Sequence, residues 1–203
     1  MFNVFYQNKN LFNKYTFNRE ELIFWKETAD FDQQLNRLKK FKNFYFADYL
    51  IVSNRFQKND LENLKKLILF AKNHNKKMII LSKSTEFRSF QSSYTLYDKY
   101  VIKNFNKKNH KNNFKDFKNN LEKIYFKNKI SFDDLNKQIY NITIKENVKF
   151  LNKEELLCNN INNTCLAITP NGEKIFYDYG HYTIAGAKYI GELIYNKNWL
   201  KLD

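Results

Sequence analysis

A chain of 203 residues that is 43% hydrophobic and 18% aromatic can bury one sizeable core, which excludes a generally disordered polypeptide and makes one domain over residues 1–203 the expectation. Its formal net charge of +14 points on its face to a polyanion. The lysines, however, are spread along the whole chain among asparagines, and there is no RNA-binding aromatic signature, zinc-finger spacing or glycine-rich phosphate loop, so nucleic acid is not expected as a partner.

No stretch of eighteen apolar residues is present to span a membrane. Residues Met1 to Asn8 lack the basic segment, apolar core and cleavage site of a secretion signal, which predicts a soluble, cytosolic chain. In chain order, the apolar residues Phe2, Phe5, Tyr6, Leu11 and Phe12 predict a short helix within Phe2 to Tyr15. Leu22-Ile23-Phe24-Trp25 predicts a strand within Tyr15 to Trp25. Phe31, Leu35, Leu38 and Phe41 recur at helical spacing.

The clearest unit follows. Tyr49-Leu50-Ile51-Val52 reads as a strand covered on both faces. Asn59-Asp60-Leu61-Glu62 reads as a capped helix start, with Asn59 as cap and Glu62 reaching back. Leu61, Leu64, Ile68 and Ala71 form the buried stripe of that helix, and Met78-Ile79-Ile80-Leu81 supplies a second buried strand. A β-α-β unit of this kind has parallel strands and a right-handed crossover. Ligands of parallel sheets sit beyond the carboxyl ends of the strands. Those ends carry Ser53-Asn54-Arg55-Phe56 and Ser82 to Phe87, which read equally as loop chemistry.

Further on, Tyr94 to Ile102 reads as a short helix or an apolar lid, and His110 as a solvated loop residue. His74 lies near a helix C-terminus and reads as structural. Helices are predicted over Phe114 to Phe126 and Phe132 to Ile144, and a short strand over Val148 to Leu151. Cys158 and Cys165 bracket a polar loop; their spacing suits either a small disulfide-bonded loop or two free thiols. Two cysteines without nearby histidines do not make a zinc site. Leu166-Ala167-Ile168 and Ile175-Phe176-Tyr177 flank Thr169-Pro170-Asn171-Gly172, a turn sequence that predicts a hairpin.

The hairpin leads into Asp178-Tyr179-Gly180-His181 and then into an amphipathic helix from Thr183. A carboxylate and an imidazole on one turn are half of an acyl-transfer site, because the carboxylate fixes the imidazole tautomer and the second ring nitrogen can take a proton from a hydroxyl. The plainer reading is a turn residue followed by a polar helix-entry residue.

Ala47 to Phe56, the cysteine loop, and Thr169-Pro170-Asn171-Gly172 ahead of Asp178 to Ala187 together resemble the SGNH hydrolases. They look most like the extracytoplasmic SGNH domain attached to membrane acyltransferases that O-acetylate surface polysaccharides. The resemblance runs from about Ala47 onward and is strongest from Thr169 to Gly191. It implies a three-layer α/β/α fold with a mainly parallel, flavodoxin-like sheet and a small C-terminal hairpin.

It also implies that Asp178 and His181 complete a Ser-His-Asp triad, that no metal or organic cofactor is needed, and that the setting is periplasmic. The implied partners are an acylated carbohydrate or acyl-donor ester and a membrane acyltransferase. The family's nucleophile lies in a Gly-Asp-Ser block that this sequence lacks, so the first strand reads as missing, the domain as N-terminally truncated, and the chain as nearly inactive. At the third block Arg55 takes the place of the family's asparagine, and Ser53, Asn54 and Arg55 are candidate oxyanion or substrate contacts.

A non-catalytic carbohydrate-binding module of the same shape and a basic polyanion binder are the alternatives, as is rescue by another serine such as Ser53 or Ser82. A sheet lacking its first strand is expected to leave unpaired backbone on neighbouring strands, with low stability or self-association.

Overall fold

The computed structural model describes residues 2–7, 31–88, 95–105 and 114–202. In chain order the elements are β1 (Phe2–Gln7), α1 (Phe31–Leu38), α2 (Lys42–Phe46), β2 (Tyr49–Asn54), α3 (Asp60–Asn73), β3 (Lys77–Leu81), β4 (Glu86–Phe87), α4 (Leu96–Phe105), α5 (Phe114–Lys127), β5 (Lys129–Ile130), α6 (Asp133–Lys145), β6 (Lys149–Leu151), α7 (Lys153–Leu157), β7 (Cys158–Asn159), β8 (Thr164–Cys165) and α8 (Ile184–Asn196). They form two compact units: Met1–Lys83 with Phe132–Asn152, and Ser84–Ser131 with Lys153–Asp203.

The first unit is built on a sheet in the order β1-β2-β3-β6. Strands β2 and β3 are parallel, as their apolar runs predict, and β6 pairs parallel with β3. Leu50, Val52, Met78 and Ile80 share a core with Leu35 and Leu38 of α1, Leu64 and Ile68 of α3, and Ile139 of α6. Ile51 and Ile79 point the other way and are also buried, so both faces of the central strands leave water.

Several details depart from the expectations. The N-terminal residues form no helix over Phe2–Gln7 but a strand that pairs antiparallel with all six residues of β2, from Phe2 opposite Asn54 to Gln7 opposite Tyr49. Helical spacing in so short a window gives way to ladder pairing along β2, a long-range gain that local periodicity does not register. The side of β2 away from β3 is therefore occupied, which corrects the expected unpaired neighbour. The strand predicted within Tyr15 to Trp25, the remainder of the predicted first helix, and His110 lie outside the described residues.

The predicted cap of α3 is also different. Asn59 makes no side-chain cap bond; instead Gln57 N donates to Asp60 Oδ2 at 2.7 Å, and Glu62 pairs with Lys65. His74 is structural, its Nδ1 lying 2.8 Å from Phe70 O.

Helix ends follow one rule that composition alone hides. The chain has only four glycines, and asparagine takes the left-handed position after three helices: Asn75, Asn147 and Asn198, at φ of 55°, 51° and 46°. In each case the next residue's N–H reaches back five residues, Lys76 to Ala71 O, Val148 to Thr143 O and Trp199 to Ile194 O. These are Schellman stops, which tolerate asparagine where glycine is more usual.

The second unit packs around Phe87, Tyr125 and Phe176, whose ring centroids lie 4.9 to 5.8 Å apart. Of the stretch Tyr94 to Ile102, read as helix or lid, Leu96 to Ile102 lie in helix α4, and Tyr94 lies outside the described residues. The predicted hairpin is present in reduced form, closed by the Ile168–Lys174 bridge and by Ile175 N donating to Ala167 O at 3.0 Å. Gly172 turns it at φ 84°. A second hairpin, β7–β8, places Cys158 opposite Cys165, and the two sulfurs are bonded. Its loop is shaped by Asn159 Oδ1, which accepts from Ile161 N and Asn162 N.

Helix α8 docks so closely that a Cβ on Gly186 would lie 2.2 Å from Ile175 O, whereas one on Gly191 meets nothing within 4 Å. Thermal unfolding of Gly186→Ala should therefore show a loss of about 1–3 kcal/mol, the usual cost of overpacking. Gly191→Ala should gain about 0.5–1 kcal/mol, as for any open helix interior; equal effects at the two sites would refute the close docking. Opening the Cys158–Cys165 loop, whose cysteines are seven residues apart, with a double serine variant should cost about 2 kcal/mol through the entropy of the unfolded chain. Denaturant titration of oxidised, reduced and variant protein measures it.

Candidate active site

The site residues lie on a loop closed by backbone pairing. Phe176 bridges to Tyr182, and Tyr177 N donates to His181 O at 3.0 Å. Within the loop the Asp178 carboxylate organises the chain. Its Oδ1 accepts from Gly180 N at 2.9 Å and His181 N at 2.8 Å, and its Oδ2 lies 2.7 Å from His181 Nδ1. A carboxylate only accepts, so Nδ1 is the protonated nitrogen and Nε2 is left for chemistry.

Burial alone would raise the Asp178 pKa, but the hydrogen bonds from Gly180 N, from His181 N and from the imidazole outweigh it and hold the carboxyl below its ordinary value.

The loop is fixed from two sides. Phe87 N, in β4, donates to Tyr179 O at 2.7 Å, and a Cβ on Gly180 would sit in ordinary contact with Glu86 Cγ at 3.7 Å. Thr183 caps α8 by accepting from Gly186 N at 2.9 Å, while its hydroxyl donates to Lys174 O at 2.5 Å. Phe176 and Tyr182 turn inward with centroids 5.2 Å apart, and burial pushes the Tyr182 phenol up to about 12.

Residues Thr85 to Phe87, under the loop, are themselves braced. Thr85 Oγ1 donates to Glu154 Oε2 at 3.5 Å, and Glu154 Oε1 accepts from Lys129 Nζ at 2.5 Å. Lys129 also donates to Asn160 Oδ1 in the disulfide loop at 3.0 Å.

Asp178 and His181 are thus brought together. Of the other candidates, Ser53 is half-buried and Asn54 buried at the end of β2, with Arg55 exposed in the loop that follows. Among the described residues the buried Asn54 Nδ2 atom has no hydrogen-bond partner, a donor that calls for an acceptor. Ser82, considered as a substitute nucleophile, is fully buried and donates to Asn152 Oδ1 at 3.2 Å. Cys158 and Cys165 have a structural place in the β7–β8 hairpin. Among the described residues no group of three or more His, Cys, Asp or Glu side chains could hold a metal ion, and no helix is long and apolar enough to cross a membrane.

Sequence reasoning did not single out Tyr177 and Tyr179. Tyr177 stacks on the His181 ring at 5.6 Å and 22°, and Tyr179 meets it edge-on at 5.5 Å and 67°. The signal was the pairing of 177 with 181, which only the register of the loop reveals.

Residues 17–196 match the family described as SGNH domain (fused to AT3 domains). No curated protein is significantly similar in sequence. Among solved structures, the periplasmic domain of a lipopolysaccharide acetyltransferase from Salmonella ser. Paratyphi A has a similar fold, with a TM-score of 0.55 at 17% identity. The match covers 82% of this chain and 61% of that one, so the chain spans about three fifths of that domain.

The depressed Asp178 pKa has a defined consequence for stability. A carboxyl bound more weakly by protons in the folded state stabilises the fold above its unfolded value, about 3.9, and this contribution is lost as pH falls through the folded value. Denaturant unfolding followed below about pH 4 should show a shallower acid loss in Asp178→Asn than in wild type. Parallel acid limbs would remove the carboxylate from its organising role.

Proposed function

The chain belongs to the SGNH domains of the kind found fused to AT3 domains, and from that premise we propose that it is an acyl-transfer module acting on acylated carbohydrate, with His181 as base and Asp178 as its orienting carboxylate. The observation that carries this reading is the 2.7 Å contact between His181 Nδ1 and Asp178 Oδ2, on a carboxylate whose other oxygen is already held by two backbone N–H groups. That arrangement restrains the imidazole before substrate arrives, which is what pre-organised acid–base catalysis requires.

In the proposed reaction His181 Nε2 removes the proton from a hydroxyl nucleophile as its oxygen attacks the ester carbonyl carbon. The tetrahedral oxyanion collapses, the alcohol leaves with the proton from the imidazolium, and the acyl group stays on the nucleophile. A sugar hydroxyl or water, deprotonated in turn by His181, releases it.

A domain of this family and the fold it shares with a periplasmic acetyltransferase domain support an extracytoplasmic setting, one domain over 1–203, and a membrane acyltransferase as partner. No metal or organic cofactor enters these steps.

One observation favours a second reading. Ser82, weighed as a substitute nucleophile, is fully buried and hydrogen-bonded. On that ground a carbohydrate-binding module that retains the family's shape is the alternative.

Hydrolysis of p-nitrophenyl acetate and of O-acetylated xylotriose by wild type, His181→Ala, Asp178→Asn, Ser53→Ala and Ser82→Ala separates the two. Acyl transfer predicts turnover that falls at least tenfold in His181→Ala and Asp178→Asn, with the serine variants identifying any hydroxyl of this chain that takes part. Turnover indifferent to His181, or saccharide binding without any ester cleavage, would replace the first reading with the second.

A further inference from the structure

The loop that carries His181 has two faces, and only one is explained by folding. Backbone pairing sets Phe176 opposite Tyr182 and Tyr177 opposite His181, and successive residues of an extended chain point to opposite sides. The inner pair is core: Phe176 is fully buried and its ring touches Phe87 and Tyr125. The outer pair meets water, with Tyr177 57% exposed and the His181 side chain 59% exposed.

A single exposed aromatic ring is ordinary on a protein surface. This one is different in its neighbours. Tyr177, His181 and Tyr179 form a row, the first two stacked with their planes 22° apart and the third standing edge-on to His181. The row is held at backbone level by Phe87 N bonding to Tyr179 O, so the rings are carried on a fixed loop. A rigid tyrosine offers a large contact area with few rotatable bonds to immobilise.

We propose that Tyr177 is a sugar-stacking platform, taking the C–H face of a pyranose ring on its exposed ring face and so setting an acylated sugar beside the His181 imidazole. This rests on the acyl-transfer reading above. A pyranose presents an apolar patch of axial C–H groups inside a rim of hydroxyls. The surface here is the complement, an aromatic face bordered by polar edges: the Tyr177 phenol and the His181 Nε2. An aliphatic ester or a peptide would use the ring alone and leave that polar border without partners. Stacking would select pyranosyl esters over sugar-free esters of the same acyl group, making Tyr177 a specificity-determining residue.

Binding of xylotriose and O-acetylated xylotriose, followed by chemical-shift titration and saturation-transfer NMR, tests the platform. The ring C–H protons of one pyranose should receive saturation. Tyr177→Ala should weaken binding at least tenfold, while Tyr177→Phe and Tyr177→Trp stay within threefold of wild type. Equal affinity in Tyr177→Ala would overturn the proposal. So would a Tyr177→Phe loss as large as that of Tyr177→Ala, which would assign the effect to the hydroxyl.

Absence of saccharide binding by wild type, with ester cleavage still dependent on His181, would overturn the platform and leave the acyl-transfer reading standing. Saccharide binding lost in Tyr177→Ala, with ester cleavage indifferent to His181, would retain the platform and remove that reading.

Discussion

The site depends on one carboxylate that does two things at once. Asp178 closes the loop by accepting from the backbone of Gly180 and His181, and it orients the imidazole of that same His181. One carboxylate thus shapes the backbone through Oδ1 and orients the imidazole through Oδ2. Because the donors are two and three residues along the chain, the geometry needs little long-range assembly. What must come from farther away is a fixed base for the loop, and the packed Phe176 and Tyr182 rings, the Phe87 hydrogen bond and the capped start of α8 supply it.

The sheet unit is governed by a different constraint, the need to pair strand edges. Strand β2 has β3 on one side and the antiparallel β1 on the other, so it is internal. Among the described residues the remaining edges are β1 and the three-residue β6, and an edge as short as β6 offers little to an intruding strand.

Much of this was legible from the residues. The β2-α3-β3 unit could be read because two continuous apolar runs flank a helical stripe, signals long enough for periodicity to settle. The pairing of Asp178 with His181 could be read because it is local. The five-residue α2 and α7 and the two-residue strands β4, β5, β7 and β8 are too short to carry a period. Strand β1 escapes a local reading because its partners lie 42 to 52 residues away, from Gln7 opposite Tyr49 to Phe2 opposite Asn54. The helix stops at Asn75, Asn147 and Asn198 were hidden by the abundance of asparagine, since a residue common everywhere marks no boundary until its φ is known. Tyr177 was visible as a residue but not as an exposed ring, because exposure depended on which side of the loop it faced.

The chain's charges fall into two populations with different responses to salt. Pairs such as Lys65–Glu62 and Lys66–Asp32 stand largely in solvent, and mobile ions weaken them. Lys129 and Glu154 are mostly enclosed, at 18% and 11% side-chain exposure, and screening reaches them poorly. Brine also quiets the mutual repulsion of a molecule carrying +14. The brace beneath the His181 loop is therefore insulated from the ionic medium in a way the periphery is not, and a salty exterior relaxes the surface while leaving that internal strut intact.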